Sequence, residues 1–290
     1  SKSVIMEKYY ILFNPFANNG HGEESSKEVL QYLEGKDTEF INMAKIEDYK
    51  TFFAGLDADD KIIICGGDGT LNRFVNDCAD CIPENEIYMF PSGTGNDFLF
   101  DLGYEGKCAP VLVNKYITDL PYVEVNDKKM YFIDNVGYGI DGWICEVADE
   151  MKANDPNAKI NYTSIAIKGL LGKYKPCNAK VTVDGVTKEY RKVWLAPAMN
   201  GRYYGGGMKV TPDQDRLDPE RTISVMMFTD CSRIPTMITF PKIFKGEHVD
   251  AKCTVILKGH DITVEFDEPR AVQVDGETIL GVRKYHAVKK

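Results

Sequence analysis

One unit recurs three times in the first third of the chain: a short apolar run, a loop rich in glycine or asparagine, then a helical pattern. Tyr9-Tyr10-Ile11-Leu12-Phe13 leads through Asn14-Pro15-Phe16-Ala17-Asn18-Asn19-Gly20 into a segment carrying Val29, Leu30 and Leu33. Lys61-Ile62-Ile63-Ile64-Cys65 leads into Gly66-Gly67-Asp68-Gly69-Thr70-Leu71-Asn72, after which Leu71, Phe74, Val75 and Cys78 fall at helical spacing. Ile87-Tyr88-Met89-Phe90 leads into Pro91-Ser92-Gly93-Thr94-Gly95-Asn96-Asp97, with Phe98 and Leu99 opening another helical turn. Short apolar strands alternating with helices predict a parallel sheet, and right-handed crossovers bring the loops after its strands to one edge.

Beyond about Asp119 the pattern changes to period-two alternation with short turns. The segments are Val181 to Thr187, Thr222 to Phe228, Cys253 to Leu257, Asp261 to Phe266 and Ala271 to Val274, interrupted by one helical stretch near Asn161 to Leu171. That spacing predicts an antiparallel β-sandwich or barrel. The expected fold class is therefore α/β plus all-β: a three-layer α/β domain over residues 1–118 and a β-rich domain over 119–282, with 283–290 able to return to the first. No low-complexity linker separates them, so a cleft between closely joined domains is the expected active site.

A formal net charge of −9 argues against nucleic acid as a partner, since such binding leaves a basic footprint. It leaves a membrane surface open: Lys168, Lys173 and Lys175 form a local basic cluster, although a solvated helix face is the plainer reading. No apolar run approaches the roughly 20 residues of a membrane span. The start, SKSVIMEKYY, has no leader-like apolar segment and reads as an expression remnant before the native start, so a cytoplasmic chain is expected. Eight scattered cysteines without a secretory signal predict free thiols, and Cys78-Ala-Asp-Cys81 lacks the second pair a zinc site needs. His21, His248, His260 and His286 are dispersed and form no catalytic pattern.

The chemistry concentrates in the loops. Glycines at 66, 67 and 69 allow backbone to approach phosphate, and the helix that follows turns its positive end toward the anion. Neither GxxxxGK[ST] nor GxGxxG is present, so a P-loop or a dinucleotide fingerprint does not fit, while a plain strand–turn–helix remains open. Asp68 belongs in an anion site only if it meets a metal or orients an attacking hydroxyl, and both roles point to phosphoryl transfer. Asp97 adds a carboxylate at the same edge, or caps the helix beginning near Phe98. Asp275-Gly276-Glu277 places two acids on a turn directly after a strand, which by itself reads slightly more readily as a plain hairpin turn.

Together NPFANNG, GGDGTLN, PSGTGNDF, NGRYYGGGM and DGE, in this order over nearly the whole chain, resemble the diacylglycerol kinase catalytic family. The likeness is to its soluble bacterial-type branch, related to sphingosine and ceramide kinases and sharing the GGDGT loop and the α/β fold with NAD kinases. The resemblance implies ATP held by Asn14, Pro15, Phe16, Ala17 and Asn18, by Asn42, by Gly66, Gly67, Asp68, Gly69, Thr70, Leu71 and Asn72, and by Thr94. It implies Glu277 as general base with Asp275 beside it; Asp68 sits on the nucleotide and metal side or is itself the base. Asn96, Asp97 and Asp141 would face the acceptor, although Asp141 can equally fix its glycine-rich turn. Mg2+ would be bound by Asp218, with Asp215 and Glu220 contributing carbonyls.

Two positions depart from the family pattern. Pro219 stands where glycine is usual, and a proline ring forbids a left-handed φ there. Arg73 stands where the run ordinarily continues with glutamate. The implied activity is ATP- and Mg-dependent phosphorylation of diacylglycerol or a similar lipid alcohol, in lipid metabolism and phospholipid biosynthesis. The alternatives are a NAD or sugar kinase, or a non-catalytic lipid- or nucleotide-binding relative. The expected partner is a lipid at a membrane surface, with peripheral attachment to the inner membrane face and a homodimer as further expectations.

Overall fold

A computed structural model describes residues 7–92 and 95–290 of the chain, which divides into two compact units, the first ending at Asp119 and the second beginning at Leu120. In the first unit, strands β1 (Lys8–Phe13), β2 (Asp37–Asn42), β3 (Lys61–Gly66) and β4 (Ile87–Pro91) run parallel. A short antiparallel β5 (Val111–Leu112) completes the order β2-β1-β3-β4-β5. Ile11, Leu12, Ile62, Ile63 and Ile64 are completely buried, as expected of central parallel strands covered on both faces. The chain leaves β1 toward β2 on one side and returns to β3 on the other, so the strand order reverses between β1 and β3. The carboxyl ends of strands at such a reversal are where open α/β sheets bind ligands.

The helix after β3 spans Asp68–Cys78 and buries Leu71, Phe74, Val75 and Cys78, the face its spacing predicts. The segment after β1 is different. A 3-10 helix, Lys27–Tyr32, stands where a longer helix is expected: Val29 is buried but Leu30 remains 41% exposed. The third unit supplies only a five-residue helix, Asp97–Asp101.

The second unit is antiparallel. Its strands are β6 (Tyr122–Val125), β7 (Lys128–Tyr131), β8 (Asn135–Tyr138), β9 (Cys177–Val183), β10 (Val186–Val193), β11 (Ala198–Met199), β12 (Tyr203–Tyr204), β13 (Met208–Lys209), β14 (Ile223–Phe228), β15 (Thr254–Gly259), β16 (Asp261–Val274) and β17 (Glu277–Val288). The two stretches expected over 261–274 are one strand, β16, with register shifts between Glu265 and Val272, around Pro269. Its first half pairs with β9 and its second half with β8, while β17 runs along its other edge. A bulge that changes a strand's partner lets a sheet fold over a single core. Here that core includes Phe132, Tyr138, Phe266, Val272 and Tyr285, with Tyr138 stacked on Phe266 at 3.8 Å between ring centroids. The C-terminal residues continue β17 and pair with β6 and β16, so 283–288 belong to the second unit and do not return to the first.

Helices interrupt the sheet more than the sequence reading allows. The expected stretch at 161–171 becomes a helix, Tyr162–Lys168, ending in a π-turn, Gly169–Lys173. A 15-residue helix, Ile140–Asn154, and a further pair, Arg233–Thr239 and Phe240–Lys245, are additional. The free-thiol expectation also needs correction: Cys231 and Cys253 form a disulfide, whereas Cys78 and Cys81 remain free.

Helix Ile140–Asn154 lies so close to β16 that a Cβ at Gly142 would stand 2.0 Å from the Ala271 carbonyl oxygen. Alanine is ordinarily the better helix former by about 1 kcal/mol. Gly142→Ala is nevertheless expected to destabilise the protein by about 2 kcal/mol or more, because neither backbone can yield cheaply; chemical denaturation measures the sign.

Candidate functional site

The residues of the nucleotide reading gather at the carboxyl edge of the first unit's sheet. Phe13 pairs with Asn42 on one side and with Cys65 on the other, and Gly66 pairs with Pro91, so the loops leaving β1, β3 and β4 emerge side by side. Asn14 shapes the first loop: its Oδ1 accepts from the Phe16 N–H at 3.0 Å and its carbonyl from Ala17 N–H at 3.1 Å. Asn18 and Asn19 follow with left-handed φ of 51° and 54°, and Asn18 Nδ2 donates to Ser25 Oγ at 2.8 Å. Asn42 Oδ1 accepts from the Ala44 N–H at 2.9 Å, capping the 3-10 turn after β2. Thr94 lies outside the described residues.

The second and third loops are joined through Asp68. Its N–H donates to the Gly95 carbonyl at 2.7 Å, and its carboxylate accepts from the Phe98 N–H at 3.2 Å and 3.4 Å. A Cβ at Gly67 would stand 2.7 Å from that same Gly95 oxygen, so glycine is what permits the approach. Asp68 therefore occupies the amino end of helix Asp97–Asp101, where its charge also meets the favourable end of the peptide dipoles. Helix capping was the alternative reading for Asp97; the carboxylate that accepts the Phe98 N–H is Asp68's. The N–H groups of Thr70 and Leu71 both point to the Gly67 carbonyl, so part of the glycine loop's donor capacity is used internally. Arg73 is exposed and lies 4.0 Å from Asp77, one helical turn on.

In the second unit, Asp275 and Gly276 have φ of 46° and 94° between paired Val274 and Glu277. Two positive values make the tight hairpin turn that Asp-Gly favours. The Asp275 carboxylate is not turned outward: it accepts from the N–H groups of Ile133 at 2.7 Å, Asp134 at 2.9 Å and Asn135 at 3.0 Å. The segment it holds is tied from the other side as well. Arg216 forms a buried ion pair with Asp134 at 3.0 Å and donates to the Ile133 carbonyl at 2.8 Å. Buried Lys289 donates to Asn200 Oδ1 and to the Arg216 carbonyl, both at 3.1 Å, and Asn200 Nδ2 donates to Ile133 oxygen at 3.1 Å. Glu277, the next residue after the turn, is exposed.

Asp141 sits in the first turn of helix Ile140–Asn154 with its side chain wholly enclosed. Gly137 makes room for it: a Cβ there would stand 1.8 Å from Asp141 Oδ2 and 2.3 Å from Gln273 Nε2. Burial pushes the Asp141 carboxyl up to about 6, opposed by the nearby backbone amides of Gly142 and Asp141 and the side chains of Gln273 and Tyr204. Neither carboxylate oxygen makes a hydrogen bond of good geometry. The other end of the same Gln273 amide, Oε1, accepts from the Gly276 N–H at 2.8 Å. Gln273 thus lies beside Asp141 while bonding the turn that precedes Glu277.

Each of the three metal candidates has hydrogen-bond partners within the protein. Asp218 accepts from the Glu220 N–H at 3.0 Å and from both the N–H and hydroxyl of Thr222, contacts that hold its carboxyl below the usual range. Asp215 Oδ1 accepts from the Leu217 N–H at 2.8 Å. The carbonyls expected to help already have donors, Gln214 Nε2 at Asp215 and His260 Nε2 at Glu220. Among the described residues no group of three or more His, Cys, Asp or Glu side chains is placed to hold a metal. The left-handed residue of this loop is Arg221, with φ of 58°, which leaves Pro219 in a conformation open to it.

Sequence reasoning missed Arg216, Asn200, Gln273 and Lys289. Gln273 carried a signal, being a polar residue inside the buried apolar run Ala271-Val272-Gln273-Val274. Arg216 looked like one more charge in an acidic loop, and nothing local marks Lys289 as buried.

Two mutations separate structure from chemistry here. Asp275→Asn keeps one acceptor oxygen and is expected to cost about 1–3 kcal/mol in unfolding free energy without any substrate present. For Asp141 the folded-state affinity for protons is raised above that of the unfolded chain, so its contribution is favourable in acid and is lost as pH climbs from 3.8 to about 6. Asp141→Asn should abolish that dependence and raise stability at pH 7 by up to about 3 kcal/mol; denaturation curves at a series of pH values read both effects.

The sequence profile of the diacylglycerol kinase catalytic domain matches residues 8–120, and that of the YegS C-terminal NAD kinase beta sandwich-like domain matches residues 134–286. A diacylglycerol kinase of Mycobacterium tuberculosis is 25% identical over 255 residues, covering 84% of this chain and 80% of its own. A diacylglycerol kinase of Bacillus subtilis is 24% identical over 284 residues, covering 94% and 90%. The crystal structure of a diacylglycerol kinase from Bacillus anthracis superposes with a TM-score of 0.63 at 21% identity, covering 98% of this chain and 94% of the other, and shares the fold. With profiles matching both units, one of them more than half of the chain, the protein belongs to the diacylglycerol kinase catalytic-domain family and is a lipid kinase.

Proposed function

We propose that this lipid kinase transfers the γ-phosphoryl group of ATP to the hydroxyl of diacylglycerol or a closely similar lipid alcohol presented at a membrane surface. The observation that carries the reading is the division of labour at the acidic turn. Asp275 is committed to three backbone N–H groups, while Glu277 projects from the turn that this clamp and Gln273 hold in place. A carboxylate on a fixed mount is suited to general-base work, which needs position before it needs a particular acidity.

In this reading Glu277 takes the proton of the acceptor hydroxyl as its oxygen attacks the γ-phosphorus. The bond to the β-bridging oxygen breaks and ADP leaves with that electron pair. The transition state is loose and charge is spread over the phosphoryl oxygens, so placement and electrostatics supply most of the catalysis. Asn14, Asn42 and the loop from Gly66 to Asn72 receive the nucleotide at the strand reversal, with Thr94 as an additional contact. Asp68 maintains the spacing of two nucleotide loops through Gly95 and Phe98. Asn96, Asp97 and buried Asp141 are assigned to the acceptor. Mg2+ enters as part of the MgATP substrate, and residues 215–220 are given no part in the transfer.

Glu277→Gln is expected to lower turnover by at least about a hundredfold while leaving ATP affinity within a few-fold of the parent. Radiolabelled ATP offered with separate lipid, NAD and sugar pools identifies the acceptor. Label found only in NADP or a sugar phosphate would overturn the lipid-alcohol reading, and undiminished turnover in the variant would remove Glu277 as base.

A further inference from the structure

Two helical arms of the second unit carry a charge opposite to that of the chain. Residues 156–175 and 232–246 together hold seven Lys and Arg and no Asp or Glu, in a protein with 35 basic and 44 acidic residues. The arms are neighbours: the Arg233 guanidinium donates to the carbonyls of Gly169 and Leu170 at 3.1 and 2.9 Å and of Tyr174 at 3.0 Å. The same cation stands over the Trp194 ring. The Cys231–Cys253 disulfide closes the segment that carries the second arm, between β14 and β15.

Each arm buries one face and exposes apolar side chains on another. Ile165, Ala166 and Leu170 are buried, whereas Ile167 and Leu171, four residues apart, are 48% and 61% exposed. On the second arm Thr236, Phe240 and Ile243 face inward while Ile234 and Ile238, again four apart, are 69% and 64% exposed, with Phe244 beyond them. Lys168, Lys173, Lys175, Lys242 and Lys245 are exposed on the same elements. Single exposed apolar residues need no explanation, but two i, i+4 pairs on neighbouring arms that also carry exposed lysines are more than a solvated helix face calls for. Apolar side chains flanked by Lys are the composition that enters the boundary between lipid headgroups and acyl chains.

We propose that these two arms are the surface on which the kinase rests on an anionic lipid bilayer, with Ile167, Leu171, Ile234, Ile238 and Phe244 entering the interface and the lysines meeting the headgroups. The acidic remainder of the chain is repelled by such a membrane, so attraction confined to the arms also orients the protein. The inference rests on the membrane-borne acceptor proposed above.

The test uses the full chain sedimented with phosphatidylcholine vesicles with and without about 30% phosphatidylserine over a range of salt. Binding is expected to require the anionic lipid. Ile234→Ser/Ile238→Ser should weaken it about tenfold or more at every salt concentration. Lys168→Glu/Lys173→Glu/Lys242→Glu should weaken it about fivefold or more per lysine at low salt, and less at high salt. Unchanged circular dichroism and thermal unfolding establish that each variant is folded. Ile238→Trp gives a second measurement, a blue shift of its emission on anionic vesicles alone. Absence of vesicle binding, equal binding by parent and variants, or a dimer in sedimentation equilibrium that Ile238→Ser dissociates would each overturn the surface. Phosphorylation of a short-chain, water-soluble diacylglycerol should be the same in parent and arm variants. If the parent fails that assay the kinase reading falls, while the vesicle data still decide the surface.

Discussion

The second unit depends on a carboxylate whose partners lie some 140 residues away in sequence. Asp275 receives three successive backbone N–H groups at 133–135, and without that acceptor the segment entering β8 would have peptide donors turned toward protein with nothing to meet them. Because the segment also carries Asp134, its position fixes where Arg216 must bring its guanidinium. Lys289, near the end of the chain, then closes the group through Asn200 and the Arg216 carbonyl. Such a network is worth having only when complete, since an unpartnered charge at this depth is strongly destabilising.

The first unit uses the same device on a smaller scale. Asp68 ties the glycine loop after β3 to the loop after β4, accepting from Phe98 N–H and donating through its own amide to Gly95. In both units an acid that motif reasoning would assign to chemistry is found fastening backbone. That does not compete with function: phosphoryl transfer needs groups held within a fraction of an ångström, and the carboxylates that hold the loops are part of how such placement is achieved. Glu277 follows a turn stiffened by Asp275, by left-handed Asp275 and Gly276, and by the Gln273 amide. Asp141, enclosed and with its proton affinity raised by burial, stands at the other end of that same amide.

Much of the fold was legible locally. The apolar runs at 9–13, 61–65 and 87–90 became strands because β-branched and aromatic residues dominate them and most of their side chains are covered in a parallel sheet. Helix Asp68–Cys78 followed its apolar spacing. Where local pattern misled, a tertiary contact had overridden it. The segments 261–266 and 271–274 read as separate but are one strand with a bulge between them, since β16 changes partner there. Helix Ile140–Asn154 was hidden behind a run of glycines, which serve close approach to β16 and room for Asp141 and not a loop. The cysteines at 231 and 253 are separated in sequence by the helices at 233–245 and are brought together by the pairing of β14 with β15.

By itself the sequence determined the kinds of element and their order, the loops that collect at the sheet edge, and the family to which the chain belongs. Those follow from periodicity and from short motifs, which are properties of neighbouring residues. Only the tertiary structure decided which acids are spent on backbone and which stand exposed, that oxygens of the 215–220 loop take donors from Gln214, Thr222 and His260, and that two basic arms lie against each other with their isoleucines outward. A side chain's partner, burial and proton affinity depend on what the fold brings to it from distant parts of the chain, and no local pattern encodes that.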